Sequence, residues 1–142
     1  MPQHIPDHRV TTAATEMLLI SDAALPAVHA ELRYHCDDPF AVHLVLSVDQ
    51  SPPITWVFGR ELLMTGVRMP AGIGDVQVYP ASDGLIIELR SGSVGARLLA
   101  HTADIEDFTA RSAALVALGS EMDHYNFADV LRTLPVHDSF EA

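Results

Sequence analysis

The sequence predicts an α+β fold in which an antiparallel β-sheet comes first and a pair of helices follows near the C-terminus. Residues 28–35 alternate between apolar and polar side chains, which is the period of two of a half-buried strand. Asp83 and Gly84 stand between two further strand-like runs and favour a tight hairpin turn. After His101 the apolar residues change to a helical spacing. Sheet therefore precedes helices along the chain.

Short runs of strand-forming residues are separated by residues that favour turns. The first strand begins near Val10, and the others are predicted at residues 28–35, 41–48, 54–58, 75–79, 85–90 and 94–101. Cys36-Asp37-Asp38-Pro39 forms the first predicted turn. Residues 60–65 are strong helix formers closed by Gly66, so we expect one or two helical turns there.

Two helical stripes are predicted in the last third of the chain. The first has Asp104 as its N-cap, Asp107 in its first turn and Gly119 at its end. Its apolar face consists of Ile105, Phe108, Ser112, Leu115 and Val116. The second begins near Asn126 and stops at Pro135. Its apolar face consists of Phe127, Val130, Leu131 and Leu134.

A chain of 142 residues, of which 49% are hydrophobic, can bury one continuous core. It has no internal repeat and no low-complexity linker. We predict a mobile N-terminal tail at 1–9, a single domain at 10–136 and a C-terminal tail at 137–142. Within the domain, the β body takes residues 10–101 and the helices residues 102–135.

The net charge of −11 arises from 19 acidic residues and 8 basic ones, and every basic residue is an arginine. Such a charge repels phosphate backbones and anionic lipids. The arginines at 9, 33, 60, 68, 90, 97, 111 and 132 are spread along the chain. The composition thus disfavours nucleic acid as a partner, unless folding gathers the arginines into one patch.

The apolar runs of the sequence are short. The longest, such as residues 17–20, fall far below the roughly 20 residues that span a bilayer. The first ten residues lack the apolar segment of a secretory signal. Cys36 is the single cysteine and cannot form an internal disulfide. We expect a cytoplasmic protein without direct membrane insertion.

Two glycine-containing motifs resemble catalytic or nucleotide-binding loops without matching them. Gly72-Ile73-Gly74 precedes a strand, whereas a dinucleotide loop precedes a helix whose N-terminus binds the phosphate. Ser91-Gly92-Ser93-Val94-Gly95 does not fit G-x-S-x-G and has no following helix. Both motifs are predicted to be turns.

Histidines offer the main alternative chemistry. Possible metal ligands are His29, His35, His43, Cys36, Asp37 and Asp38. Their spacing lacks the tight patterns of compact metal sites, which favours solvated strand histidines. We predict no metal, no other cofactor and no catalytic residue. A metal-dependent enzyme built on these histidines stays open as an alternative.

Aromatic residues could in principle form a platform for stacked bases. The candidates are Phe40, Trp56, Phe58 and Tyr79. No lysine is interleaved with them, and aromatic residues on strands usually belong to the core. Core packing is the predicted role.

Several motifs in a fixed order resemble one protein family. They are LRY at 32–34, DPFAV at 38–42, WVFGRELL at 56–63 and GIGDV at 72–76. This set resembles the SsgA-like sporulation and cell-division proteins of actinobacteria. The similarity is densest over residues 26–80, and the order of elements agrees to about residue 135. Phe40 departs from the tyrosine that the family often has.

The resemblance implies a non-enzymatic protein that helps to mark the sporulation septum and to recruit the tubulin-like division GTPase FtsZ. Implied partners are FtsZ, other SsgA-like proteins or a membrane-associated septum protein. It also implies packed antiparallel sheets similar to the Whirly single-stranded-DNA-binding fold, a homotrimer, and a location in the cytoplasm at the septum. The alternative function is a single-stranded nucleic-acid-binding module on that fold.

No catalytic residue is implied by the resemblance. If a partner surface lies near the best-matching motif, its exposed candidates are Arg60, Glu61, Arg68 and Asp75. The competing interpretation is structural, with an ion pair of the Arg60–Asp75 type fixing the short helix to the turn.

Overall fold

A computed structural model describes residues 9–21 and 25–124 of the chain. The described strands are β1 (Val10–Leu19), β2 (Ala27–His35), β3 (Ala41–Ser47), β4 (Ile54–Gly59), β5 (Val76–Ala81), β6 (Gly84–Ser91) and β7 (Val94–Ala100). The described helices are α1 (Arg60–Gly66), α2 (Thr102–Leu115) and α3 (Glu121–His124). The predicted α+β class with an antiparallel sheet is confirmed.

The seven strands form one sheet in the order β4-β3-β2-β1-β7-β6-β5. Every adjacent pair is antiparallel. The two halves of the sheet join through β1 and β7, which pair only at Leu18–Leu99 and Leu19–Leu98. The expected packed antiparallel sheets are here one continuous sheet, because this short ladder joins its two halves.

One face of the sheet forms the core. The alternating residues of β2 place Ala30, Leu32 and Tyr34 on this face, and all three are fully buried. Leu32 pairs with Leu44 of β3, so the apolar row continues across the strands. Helix α2 covers the face and buries Phe108 completely. The core thus lies between the sheet and α2.

Polar contacts fix α2 against β1. The Arg111 guanidinium donates to the Thr12 carbonyl at 2.7 Å and to the Thr11 hydroxyl at 2.9 Å. The Thr15 hydroxyl donates to the Asp104 carboxylate at 2.6 Å. These contacts hold α2 against β1 at two points, Asp104 and Arg111.

Helix α2 begins earlier than its sequence predicts. Its N-cap is His101, whose carbonyl accepts the amides of Asp104 at 3.1 Å and Ile105 at 3.3 Å. Asp104 is therefore not the N-cap but lies in the first turn, where its charge still favours the helix dipole. Asp107 lies beyond that turn and pairs with Arg111 at 3.1 Å.

The end of α2 also differs from the prediction. The helix stops at Leu115, and Val116 is extended with φ −137°, so the helix ends ahead of Gly119. Val116 remains fully buried although it is not helical. The second predicted helix, at 126–135, lies outside the described residues. Among the helices that are described, none is long and apolar enough to cross a membrane.

Both glycine-containing motifs are turns, as predicted. Gly72 has φ +97°, a conformation open to glycine, and strand β5 follows it instead of a helix. Gly92 has φ +62° in the hairpin turn between β6 and β7.

Candidate partner-binding surface

Helix α1 begins directly after β4, and its first residue points into the protein. Phe58 lies on the buried face of β4. Arg60 comes two residues later, so its side chain points to the same side as that of Phe58. Arg60 is consequently only 1% exposed. The expectation that Arg60 is an exposed contact residue is wrong, because strand alternation directs its side chain to the core side.

The buried Arg60 guanidinium binds the end of α2 and the start of α3. It donates to the carbonyl of Ser112 at 3.1 Å and to that of Val116 at 2.7 Å. It also lies 2.7 Å from the Glu121 carboxylate. Arg60 therefore pairs with Glu121 instead of the hypothesised Asp75. Its Nε atom is buried and has no hydrogen-bond partner among the described residues.

Tyr34 provides the remaining wall around Arg60. The guanidinium carbon lies 4.9 Å from the centroid of the Tyr34 ring, within the range of a cation–π contact. The Tyr34 hydroxyl donates to the Pro39 carbonyl at 2.9 Å. Burial raises the pKa of Tyr34, and the positive charge of Arg60 partly opposes that rise. Arg60 thus connects β2 to the C-terminal helices.

Glu121 is held in its charged form by several donors. The hydrogen bond from Arg60 is the largest cause that lowers the pKa of Glu121, and backbone amides add to it. One of these amides, that of Gly119, donates to the other carboxylate oxygen at 2.9 Å. Glu121 was not identified from the sequence, since no local motif relates it to Arg60.

The segment between α1 and β5 packs closely on the sheet. A Cβ atom at Gly66 would lie 2.3 Å from Val78 Cγ1, so only glycine fits where α1 crosses β5. Ala71 and Val78 exchange two backbone hydrogen bonds, at 2.8 and 3.0 Å. A Cβ atom at Gly72 would lie 2.4 Å from the Val76 carbonyl. The loop therefore has a defined path.

Three of the predicted contact residues lie on the outside of this segment. Glu61, Arg68 and Asp75 are all exposed. The Asp75 carbonyl accepts the Arg90 amide at 2.8 Å, which fixes its backbone. We call the exposed residues Glu61, Arg68, Met69, Ile73 and Asp75 the α1–β5 surface.

Sequence reasoning missed the apolar members of the α1–β5 surface. Met69 is exposed, and Ile73 has a relative exposure of 102%, so it makes almost no contact within the chain. The signal was present, because a large apolar residue between two turn glycines has no strand or helix face to bury it.

Most described arginines are matched by a carboxylate. The ion pairs are Arg9–Asp37 at 4.0 Å, Arg33–Glu31, Arg90–Glu88 at 3.4 Å and Arg111–Asp107 at 3.1 Å. Arg90 and Arg97 do share an open groove of about 740 Å³ beside β6 and β7. Glu88 lies in the same groove and also accepts the Tyr79 hydroxyl at 3.1 Å. The groove is thus mixed in charge.

Among the described strand histidines, His35 and His43 line one cavity together with Arg33, whereas His29 lies apart from them. The register places His29 opposite Ser47 and His43 opposite Arg33. One compact group exists in the β2–β3 turn, where ligand atoms of His35, Cys36 and Asp37 lie within 4.8 Å of one another. The Asp37 amide donates to His35 Nδ1 at 3.0 Å, and Arg9 approaches the Asp37 carboxylate. These contacts already use the group to close the turn.

The aromatic residues do not form one platform. Phe58 is buried in the core and Trp56 packs against it, both on β4. Tyr79 is on β5, at the opposite edge of the sheet. The predicted core role is confirmed for Phe58 and Trp56. It is wrong for Phe40, which is 44% exposed because it lies in the turn between β2 and β3.

An antiparallel sheet covered by α2, with an exposed loop secured next to a buried ion pair, defines a β-rich α+β scaffold. The family model described as Streptomyces sporulation and cell division protein, SsgA, matches residues 28–121. The chain belongs to this family. Its matched region includes every residue of the α1–β5 surface and Arg60 with Glu121.

Relatives in several actinobacteria match along most of their length. The chain is 36% identical over 137 residues to the sporulation-specific cell division protein SsgB of Kineococcus radiotolerans. This alignment covers 89% of this chain and 82% of the relative. It is 37% identical over 131 residues to SsgB of Saccharopolyspora erythraea, in an alignment that covers 90% of this chain and 92% of that relative. A role in sporulation cell division is common to these names.

Two solved structures share the fold. The crystal structure of an SsgA-like sporulation-specific cell division protein from Thermobifida fusca superposes with a TM-score of 0.80 at 32% identity, covering 92% of this chain and 100% of that one. A second structure, titled for mutations in SsgB that correlate with longitudinal cell division during sporulation of Streptomyces coelicolor, has a TM-score of 0.76 at 33% identity and covers 81% and 95%.

Proposed function

We propose that this chain is a non-enzymatic sporulation-specific cell-division protein that helps to mark the septum site and to recruit the tubulin-like GTPase FtsZ. Family membership over residues 28–121 supports a role in sporulation cell division. The recruitment step is our inference from the family and from the exposed α1–β5 surface.

The observation that carries the proposal is the apolar tip of that surface. Ile73 is fully exposed on a loop with a defined path, and Arg68 and Asp75 flank it with opposite charges. Apolar residues that a fold presents to solvent with a polar rim are typical of protein-binding sites. A pre-formed loop also loses little conformational entropy when a partner binds.

The proposed function also includes an oligomeric state and a location in the cell. We propose a homotrimer with a Whirly-like arrangement, acting in the cytoplasm at the septum. Other SsgA-like proteins or a membrane-associated septum protein would be further partners of the same assembly.

Co-sedimentation tests the recruitment step. Purified chain is centrifuged with FtsZ polymerised by GTP at low salt, and with FtsZ kept in GDP as the control. We expect the chain in the pellet only with polymer. Recovery that is the same with GDP, or absent with both, would contradict the proposal.

A single-stranded nucleic-acid-binding function is the second candidate, because Arg90 and Arg97 line one groove. The net charge of −11 and Glu88 in the groove oppose it. Fluorescence anisotropy with labelled oligonucleotides over a salt series decides between them, since phosphate contacts weaken steeply as salt rises.

A further inference from the structure

Strand β4 is a sheet edge that no described residue covers. The sheet order places β4 at one end and β5 at the other. The β5 edge is closed, because Ala71 pairs with Val78 and Pro80 lacks an amide hydrogen. In residues 9–21 and 25–124, no strand or bridge lies on the outer side of β4.

The hydrogen-bond pattern shows which groups face outward. The Arg60 amide donates to the Phe40 carbonyl at 2.7 Å, and the register places Phe58 and Trp56 at the same phase of the ladder between β3 and β4. Alternate residues of an antiparallel strand bond to alternate sides. The amides of Thr55, Val57 and Gly59 and the carbonyls of Thr55 and Val57 therefore point away from β3, toward the open side. The Gly59 carbonyl belongs to helix α1, because Gly59 is its N-cap.

The side chains of β4 do nothing to block this edge. Residues Ile54–Gly59 include no charge and no proline, the two features that usually protect an edge strand. Ile54 is 57% exposed and Val57 is 54% exposed. An edge with free backbone groups and apolar side chains is a template for strand addition.

Negative charge lies near both ends of β4 and favours a binding partner with positive charge. Asp49 lies in the turn before the strand and Glu61 follows it, and both are exposed. If the β4 strands of two copies paired antiparallel, Asp49 of each would lie near Glu61 of the other. A second copy is therefore disfavoured as the occupant.

We propose that the β4 edge binds an extended segment of a partner protein, with apolar and β-branched residues at its centre and lysine or arginine at both ends. The segment adds a strand to the sheet, bonds to the backbone of Thr55 and Val57 and to the amide of Gly59, and places its cations near Asp49 and Glu61. This inference rests on the proposed function only in assuming a protein partner.

Fluorescence anisotropy with a labelled synthetic peptide, KKTVTITVKK, tests the edge directly. Val57→Pro removes one outward amide without removing a hydrogen bond to β3, so the fold is kept while binding weakens about tenfold. Val57→Ala keeps the amide and should weaken binding less, about threefold. Val94→Ala, an exposed valine away from the edge, serves as the unaffected control. Circular dichroism checks that each variant is folded.

Two modified peptides test the edge with the folded wild-type chain, in case Val57→Pro does not fold. N-methylation of alternate central amides blocks hydrogen bonds on one side of the peptide, so one of the two alternate patterns should abolish binding. Replacing the lysines by glutamates should weaken it about tenfold, and Asp49→Lys with Glu61→Lys should reverse that preference. Equal binding of all peptides, or none by the wild-type chain, overturns the proposal.

The outcomes separate this inference from the proposed function. A chain that pellets with FtsZ polymer but ignores the peptides contradicts the edge site alone. A chain that binds the peptides as expected but never pellets contradicts FtsZ recruitment alone. If sedimentation shows an oligomer that Val57→Pro dissociates, a second copy occupies the edge and our choice of occupant is wrong.

Discussion

The guanidinium of Arg60 lies 2.7 Å from the carboxylate of Glu121, and the arginine is almost completely removed from solvent. Their positions in the sequence are far apart, so this pair joins the start of α1 to α3. Arg60 also donates to two carbonyls at the end of α2, adding to the Val116 amide that already bonds the Ser112 carbonyl at 2.9 Å. The α1–β5 surface begins one residue after this anchor.

Removal of the Arg60 guanidinium should destabilise the protein more than removal of the guanidinium of an exposed arginine. In Arg60→Ala the Val116 carbonyl loses its side-chain donor, the Ser112 carbonyl keeps only the Val116 amide, and Glu121 loses its counter-ion, so we expect a loss of about 3–5 kcal/mol. Urea denaturation measures it. The control Arg33→Ala concerns an exposed pair and should cost less than about 1 kcal/mol. Equal effects of the two would show that Arg60 does not anchor the helices.

The pH dependence of stability should reveal Glu121. Its pKa is lowered in the folded protein, chiefly by Arg60, so the folded state favours the charged carboxylate. This stabilisation is complete above the pKa of the unfolded chain and is lost as pH falls through the lower folded pKa. We expect the difference in unfolding free energy between wild type and Glu121→Gln to shrink between about pH 5 and pH 3. A difference independent of pH would contradict this.

Gly66 and Gly74 should respond in opposite ways to alanine. A Cβ at Gly66 would meet Val78 side-chain atoms at 2.3 and 2.4 Å, so Gly66→Ala should cost about 1–3 kcal/mol despite the better helix propensity of alanine. At Gly74 nothing lies within 4 Å of the added atom, and its φ is not positive. Gly74→Ala should be neutral or stabilising by up to about 1 kcal/mol, because the unfolded chain loses entropy. Thermal denaturation of both variants checks the contrast.

Amide hydrogen exchange should alternate along β4. Trp56 and Phe58 bond to β3, whereas the amides of Thr55, Val57 and Gly59 face the open edge. We expect exchange at the outward amides to be at least about tenfold faster than at their neighbours. Adding the lysine-flanked peptide should slow the outward amides only. Uniform protection along the strand without peptide would show that the edge is already covered.

Local pattern was sufficient for most of the sheet. Alternation in residues 28–35 predicts β2 within one residue, and Asp83-Gly84 correctly places the β5–β6 turn. The helix predicted at 60–65 is confirmed as Arg60–Gly66. These features depend on neighbours in sequence, and the sequence contains that information.

Features that depend on distant contacts were not predictable. Arg60 looked exposed because nothing nearby in the sequence signals Tyr34, Ser112 or Glu121 around it. The α2 start was misplaced because His101 has no typical capping side chain and uses only its carbonyl.

Ile73 forms the exposed tip of the α1–β5 surface. Since its side chain makes almost no contact within the chain, Ile73→Ser should change the unfolding free energy by less than about 0.5 kcal/mol. If the surface binds FtsZ, the same change should reduce recovery with FtsZ polymer about tenfold. Val94→Ser, which alters an exposed apolar residue at the start of β7, is the matched control and should pellet like wild type. Normal recovery of Ile73→Ser would place the partner contact elsewhere on the molecule.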